Sequence, residues 1–247
     1  MKTVVTALAL LGATALSAEA SNATWDSLSA QIYPGRAMLD GSEIISIDAP
    51  YRTYDDARTQ IAAEIAAPQG LNIGKVTLVL DENPMPVSAV FTLDQPQPRF
   101  FFDVTMRVNG PTPLHVVVET TDSRLWVAET YVKTSGLGAC SAPPGTDPKL
   151  ALASLGQMQI EISGGLQGVR GLDLSGVSSR LSQLDVDISH PSHSGMQMDQ
   201  ISLLFIPMRY VETVEIDLDG AGYVDLTGSI SLSENPRVGI SVPSRTQ

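Results

Sequence analysis

Several residue classes are scarce in this sequence, cysteine above all. The 247 residues include one cysteine, so neither an intrachain disulfide nor a cysteine-based zinc cluster can form. Lysine and arginine number 15 against 27 acidic residues, and the net charge of −12 argues against a nucleic-acid partner. After the first 20 residues, no apolar run is long enough to span a bilayer, so we expect no membrane span.

Aromatic residues make up 5% of the chain and charged residues 17%, whereas apolar residues reach 43%. This apolar content is enough to build a core and is not that of a disordered chain. The 20 glycines and 16 prolines favour many short strands and turns over long helices. We therefore predict a mostly β protein.

The N-terminus has the features of a secretory signal. Lys2 precedes an apolar run over Val4–Leu11, and the triplet at 18–20 (Ala-Glu-Ala) fits the small-x-small cleavage rule. We predict that residues 1–20 are a cleaved signal peptide and that the mature protein is exported and periplasmic.

One helix is predicted near the start of the mature chain. Thr53 can cap it, Asp55 and Asp56 suit the positive end of its dipole, apolar residues between 61 and 65 share a face, and Pro68 ends it.

Strands are predicted on both sides of a stretch of small residues, Ser135–Gly145, and the domain boundary is placed near Gly145. In the first half they are Lys75–Leu80, Val87–Leu93, Phe100–Val108, Leu114–Glu119 and Leu125–Val132. In the second half they are Gln157–Ser163, Gln183–Ser189, Ile201–Ile206, Thr213–Leu218, Gly222–Leu226 and Ile230–Leu232, with a short helical turn at 147–155 and a loop at 164–179. Such spacing is typical of antiparallel β-sandwiches.

The single cysteine, Cys140, lies in this stretch of small residues, which offers nothing obvious to bury it. Gly136 and Gly138 favour a mobile approach. Lys133 is the only cation nearby, and no histidine is adjacent in sequence, so nothing marks a self-activated nucleophile. Three interpretations stay open: a thiol on which other proteins act, an intermolecular disulfide, or an incidental cysteine.

Histidine and methionine lie close together in one later segment. His190, His193, Met196 and Met198 offer imidazole and thioether groups that suit copper in an exported protein. The simpler alternative is a turn between strands, because prolines, serines and a glycine separate these residues. A copper-binding periplasmic protein is therefore kept as one functional alternative.

Short motifs occur in an order that resembles a known family. In the first half they are Val76–Leu80, Glu82-Asn83-Pro84, Pro86-Val87 and Tyr131-Val132-Lys133. In the second half they are His190-Pro191, the run at 195–199, Ile206-Pro207, Ile230-Ser231 and Glu234-Asn235-Pro236. The sequence resembles the sulfur carriers SoxY and SoxZ fused into one chain, and more narrowly the SoxYZ-like carriers associated with quinoprotein dehydrogenases.

The resemblance implies two immunoglobulin-like antiparallel sandwiches with one N-terminal helix, joined by a flexible linker that bears the cysteine. It implies a SoxY-like carrier domain over 21–134, a mobile linker over 135–149 and a SoxZ-like domain over 150–247. Cys140 would attach a sulfur-containing intermediate, and the flexible arm would consist of Gly136, Gly138, Ala139 and Ser141. The protein would be a carrier and not an enzyme, with no cofactor besides its covalent cargo.

The implied partners are periplasmic enzymes or cytochromes of thiosulfate and sulfur oxidation, and a quinoprotein dehydrogenase. The sequence departs from the family at the arm, which is typically a free C-terminal tail but is internal here. An internal arm enters a partner as two strands and needs a wider mouth. A second functional alternative is therefore an accessory module that docks on a quinoprotein dehydrogenase or cytochrome without carrying cargo.

Overall fold

The computed structural model describes residues 15–136, 138–164 and 181–244. The chain divides into two compact units, residues 1–36 and 37–247. The first unit contains one helix, α1 (Ala15–Ile32). No helix in the described ranges is long and apolar enough to cross a membrane. Most of the predicted signal peptide lies outside the described residues, and 15–20 begin α1.

The second unit consists of two β-sheets. The seven-stranded sheet has the order β1-β8-β7-β4-β5-β12-β11, and the six-stranded sheet has the order β2-β3-β6-β13-β10-β9. The strands of the first half are β1 (Met38–Asp40), β2 (Ile45–Asp48), β3 (Thr59–Ala66), β4 (Ile73–Leu80), β5 (Val87–Gln97), β6 (Arg99–Met106), β7 (Thr112–Thr120) and β8 (Leu125–Val132). Those of the second half are β9 (Met158–Ser163), β10 (Leu181–Ile188), β11 (Thr213–Leu218), β12 (Ala221–Gly228) and β13 (Arg237–Pro243).

The core lies where the two sheets face each other. Apolar side chains at alternate positions of both sheets are fully buried, as the two-residue period of a strand requires. Phe91 on β5 stacks on Phe102 of β6 with ring centroids 4.8 Å apart, and the Phe100 ring lies edge-on at 5.7 Å. Each such buried side chain contributes roughly 1.5–3 kcal/mol to stability.

Both sheets continue from the first half of the chain into the second. In the larger sheet β5 pairs with β12, and in the smaller one β6 pairs with β13, all antiparallel. The first half thus supplies one side of each sheet and the second half the other side. This mostly β architecture confirms the predicted fold class and is consistent with two immunoglobulin-like sandwiches lying edge to edge. The domain limits within it stay predictions.

The helix predicted from Thr53 onwards is wrong, because Thr59–Ala66 form strand β3. The side chains of Ile61, Ala63 and Ile65 alternate into the core, and β3 pairs with β2 and β6 along its length. Asp55, read as part of the first helical turn, instead accepts a hydrogen bond from the backbone of Ala57 in a tight turn. The apolar residues of this segment fit both the period of a helix and the period of a strand, and pairing with neighbouring strands determines that it forms a strand.

The other predicted elements have mixed outcomes. All five predicted strands of the first half are present, and four of six in the second half. Residues 201–206 and 230–232 are irregular, and β1, β2 and β13 were missed. The short helix α2 (Pro148–Ala153) occupies the predicted turn, where Asp147 caps the backbone amides of Lys149 and Leu150. The loop predicted at 164–179 lies, except for its first residue, outside the described residues.

Candidate functional site around a buried cysteine

The single thiol is packed inside the protein. Cys140 lies in a 3-10 turn, Ala139–Ser141, and its exposed fraction is 0%. The expectation that the surrounding stretch offers nothing to bury it is therefore wrong. We call residues 135–145 the cysteine arm; its Leu137 lies outside the described residues.

The first half of the chain holds the arm through two asparagines. The amide of Gly138 donates to the Asn109 carbonyl at 2.8 Å, and the amide of Cys140 donates to Asn109 Oδ1 at 3.1 Å. Asn109 is itself fixed, because its amide donates to Asn83 Oδ1 at 2.9 Å. Asn83 Nδ2 in turn donates to the Arg107 carbonyl and to Ser231 Oγ. The thiol is thus positioned by a buried hydrogen-bond network.

The second half of the chain holds the arm from the other side. Ser194 Oγ donates a short hydrogen bond to the Cys140 carbonyl, and Gln197 Nε2 donates to the Ala142 carbonyl at 2.9 Å. Further along, the amide of Gly145 donates to Glu234 Oε2 at 2.8 Å. These partners follow the arm by more than 50 residues in sequence, so no local pattern could have identified them.

The residues predicted to make the arm flexible differ in their surroundings. Gly136 is exposed and its carbonyl accepts from Thr134 Oγ1 at 2.6 Å. Gly138 has a φ of 97°, a left-handed conformation that favours glycine. Ala139 is buried, whereas Ser141 is exposed and donates to the Gly138 carbonyl at 2.8 Å.

A carboxylate fixes the start of the arm. The amide and hydroxyl of Ser135 both donate to Asp56, the latter at 2.7 Å. Burial alone would raise the pKa of Asp56, but hydrogen bonds from Thr53 and Ser135 outweigh it and lower the pKa. Asp56 therefore holds the arm as a charged acceptor.

Two opposing effects act on the thiol. Burial raises the pKa of Cys140, and the positive charge of Arg107 opposes this by favouring the thiolate. Arg107 is 2% exposed, and its Nη1 donates to the Leu232 carbonyl at 2.6 Å. Burial lowers the pKa of Arg107, while the charges of Cys140 and Glu234 raise it. A buried cation thus favours the charged form of the thiol.

A cleft of about 280 Å³ opens beside the arm. Its walls come from the first half, from the arm itself and from the second half. The lining residues used below are Arg58, Arg107, Ala142, Gly145, Gln197 and Glu234. Cys140 does not line the cleft, but Ala142 lies two residues further along the arm.

Comparison with known proteins identifies the two halves. Residues 29–140 match the family model described as Sulfur oxidation protein SoxY, and residues 177–247 match Sulphur oxidation protein SoxZ. The chain is a fused SoxYZ-like protein. The SoxY match ends at the cysteine. No curated protein sequence matches the chain.

Solved structures resemble the SoxYZ-like chain only distantly. The sulfur carrier protein SoxY from Chlorobium limicola f thiosulfatophilum is 22% identical, with a TM-score of 0.40, over 47% of this chain and 99% of its own. A superoxide reductase (neelaredoxin) from Ignicoccus hospitalis is 18% identical, with a TM-score of 0.30, over 41% of this chain and 89% of its own. Likeness of this degree carries no functional argument.

The histidines of the SoxYZ-like chain have local partners. His190 Nδ1 accepts from the amide of Ser192 at 2.9 Å, and His193 Nδ1 lies 3.1 Å from Gln197 Oε1. Burial lowers the pKa of His190, with smaller contributions from Arg209 and His193. No cluster of three or more histidine, cysteine or acidic residues that could hold a metal occurs in the described ranges. Met196 and Met198 are 38% and 43% exposed.

The chain after the cysteine arm exposes many large apolar side chains, some before and some within the SoxZ match. They lie on α2, on β9 and on the irregular segment that follows the arm's partners Ser194 and Gln197. The set includes Leu150, Leu152, Ile160, Ile162, Ile201, Leu203, Leu204, Phe205 and Met208. Exposed apolar residues in such number are typical of a surface that meets other molecules.

Proposed function

We propose that this protein is a periplasmic carrier that holds a sulfur-containing intermediate covalently on Cys140 and presents it to enzymes of thiosulfate or sulfur oxidation. The observation that carries the proposal is the position of the thiol. The SoxY family match ends at Cys140, and the segment around it is held jointly by the SoxY and SoxZ halves. Cys140 is also the chain's single cysteine, so no other thiol can serve.

The loading step is an oxidation. A Cys140 thiolate and thiosulfate form a bond between Sγ and the outer sulfur of thiosulfate to give Cys140 Sγ–S–SO₃⁻, and two electrons leave. A haem-containing partner is the class of protein that accepts those electrons. At a second, hydrolytic partner, water attacks the sulfonate sulfur and breaks its bond to the outer sulfur. This step releases sulfate and two protons and leaves the outer sulfur on Cys140 as a persulfide, so the carrier itself supplies no catalytic group.

The buried thiol sets a requirement on this function. A partner enzyme cannot reach a sulfur atom with no exposed surface, so the arm must leave its seat before loading and transfer. The hydrogen bonds to Ser194, Gln197 and Glu234 are the ones that such an opening breaks on the SoxZ side. Each contributes about 0.5–1.5 kcal/mol, which a docking partner can supply.

The test is the intact mass of the protein purified from its native host under non-reducing conditions. We expect an added sulfur-containing group that maps to Cys140, disappears on reduction, and is absent from Cys140→Ser. Cells grown with thiosulfate and expressing the partner enzymes give the proposal its best chance. An unmodified cysteine under those conditions would reject it.

The exposed apolar surface of the chain after the cysteine arm supports the accessory module as a second candidate. Such a module would dock on a quinoprotein dehydrogenase or cytochrome and carry nothing, with the net charge of −12 steering it to a basic partner. Host activity decides between the two. Cys140→Ser abolishes the activity of a carrier, whereas full activity of this variant would establish the accessory module.

A further inference from the structure

Arg107 is a buried cation with donors to spare. A guanidinium has five N–H donors, and a charge removed from water requires acceptors or a counter-charge. In the described part of the chain, the side chain of Arg107 makes one hydrogen bond, from Nη1 to the Leu232 carbonyl. Arg107 nevertheless lines the cleft beside the cysteine arm. A buried donor group therefore faces a space large enough for a small anion.

The other charged groups of the cleft are already engaged. Glu234 Oε2 accepts from the amide of Gly145, and Asp55 Oδ1 accepts from the amide of Ala57. Arg58 is exposed, and its Nη1 donates to the carbonyls of Glu234 and Asn235 at 2.7 and 2.8 Å. The two carboxylates balance the two arginines, and the charge of Glu234 already acts on Arg107. Recognition of an anion therefore depends on the remaining N–H donors of Arg107 rather than on net charge.

The cleft is also next to the arm that bears the thiol. Ala142, two residues beyond Cys140, forms part of the wall, and the charges of Arg107 and of the Cys140 thiolate each affect the pKa of the other group. A group attached to Sγ adds two or more heavy atoms to a side chain that has no exposed surface. The neighbouring cleft offers the space, and Arg107 offers the charge.

We propose that the cleft is an anion subsite, in which Arg107 binds the sulfonate end of a group attached to Cys140 while the arm is seated. This inference rests on the proposed carrier function and adds the residue that recognises the charged end of the cargo. Planar guanidinium donors match the oxygens of such a group, and charge-assisted hydrogen bonds of this kind are about twice as strong as neutral ones.

The experiment compares an anionic and a neutral group on the same sulfur. Tetrathionate converts the Cys140 thiolate to Cys140 Sγ–S–SO₃⁻ and releases thiosulfate. Methyl methanethiosulfonate converts it to the mixed disulfide Cys140 Sγ–S–CH₃ and releases methanesulfinate. The measured quantity is the rate at which dithiothreitol removes each group from the folded full chain, divided by the rate in the urea-unfolded chain.

In the wild type we expect the anionic group to be protected about tenfold more than the neutral one, as one charge-assisted hydrogen bond predicts. In Arg107→Gln we expect the two groups to be protected equally. Arg107→Lys keeps the charge but loses the planar donors, so we expect a ratio of protections between those of the wild type and Arg107→Gln. Arg124→Gln removes an exposed arginine that pairs with Asp122 on another part of the fold, and it keeps the wild-type ratio.

Equal protection of the two groups in the wild type would overturn the proposal without any variant, which covers the case in which Arg107→Gln does not fold. An unchanged ratio in folded Arg107→Gln would also overturn it. This test is independent of the test of the proposed function, because the groups are attached to Cys140 by reagents and not by partner enzymes. If the protein is loaded in its host but the two groups are equally protected from dithiothreitol, only the subsite is rejected. If the anionic group is better protected but the protein is never loaded in its host, only the carrier function is rejected.

Discussion

The two sides of the cysteine arm are built differently. On the SoxY side, Asn83 and Asn109 belong to a buried network that begins at the ends of regular strands. On the SoxZ side, Ser194 and Gln197 lie in an irregular segment, and Glu234 lies in a turn before β13. From this difference we expect the SoxY side to keep its contacts, as the seat of the thiol, when the SoxZ side opens, as its closure. Three of the four predictions below test this division, and one tests the contact between the two halves.

The largest effect is expected at the seat. Asn83→Ala removes a buried side chain that makes three hydrogen bonds and leaves the Asn109 amide without its acceptor. Unsatisfied buried groups cost roughly 1–3 kcal/mol each, so we expect the free energy of unfolding to fall by about 3 kcal/mol. Urea unfolding measures it. The control is Asn72→Ala, whose side chain makes no hydrogen bond in the described residues. Equal losses for both variants would show that the network is not a seat.

The second prediction concerns the join between the two halves of the chain, the place where strand β6 pairs with strand β13. Asp103 on β6 is buried near the Asp185–Arg237 ion pair of the second half. Burial raises its pKa to about 6, against a hydrogen bond from Gln60 and the charge of Arg237. The charges of Asp185 and of Asp48 on β2 also contribute to this raised pKa.

Because the folded state binds this proton more tightly, the stability it contributes is present below pH 3.8 and is lost as the pH rises through 6. We expect a loss of up to about 3 kcal/mol across that window, with Asp103→Asn flattening it. Urea unfolding at several pH values measures the slope. The same slope in both proteins would show that the join does not depend on this carboxyl.

The third prediction concerns the closure. Ser194→Ala removes the hydrogen bond to the Cys140 carbonyl, and we expect the thiol to react with iodoacetamide about tenfold faster. The free energy of unfolding falls by about 1.4 kcal/mol, the equivalent of that factor and about half the loss expected for Asn83→Ala. Ser202→Ala is the matched control, because its hydroxyl bonds only to Asp199 of the same segment. If Ser194→Ala lowered stability as much as Asn83→Ala does, the SoxZ side would be part of the seat.

The smallest effect is expected at the end of the arm. Glu234→Gln keeps an oxygen that can accept from the Gly145 amide but removes the charge. Because this contact is exposed, we expect an increase in alkylation rate of about twofold or less. A change as large as that of Ser194→Ala would place the main closure at Glu234 instead.

The sequence predicted the parts of the fold that depend on local pattern. Strand β8 was predicted with its exact limits, because a run rich in valine, threonine and aromatic residues lies between turn residues. The helix at Thr53 failed because residues 59–66 fit both periods, and only pairing with β6 decides between them.

The sequence identified the candidate residue of the site but did not reveal that its side chain is buried. Cys140 stood out by composition alone, yet its burial depends on Asn109, 31 residues earlier, and on Ser194, 54 residues later. Arg107 had no sequence signal, since its importance comes from its burial beside the thiol and its position at the cleft.

The pairing of β5 with β12 and of β6 with β13 within a single polypeptide has one more effect. A two-chain assembly dissociates on dilution, whereas strands tethered to each other find their partners at any protein concentration. A scarce copy of this molecule therefore keeps its thiol seated as well as an abundant one.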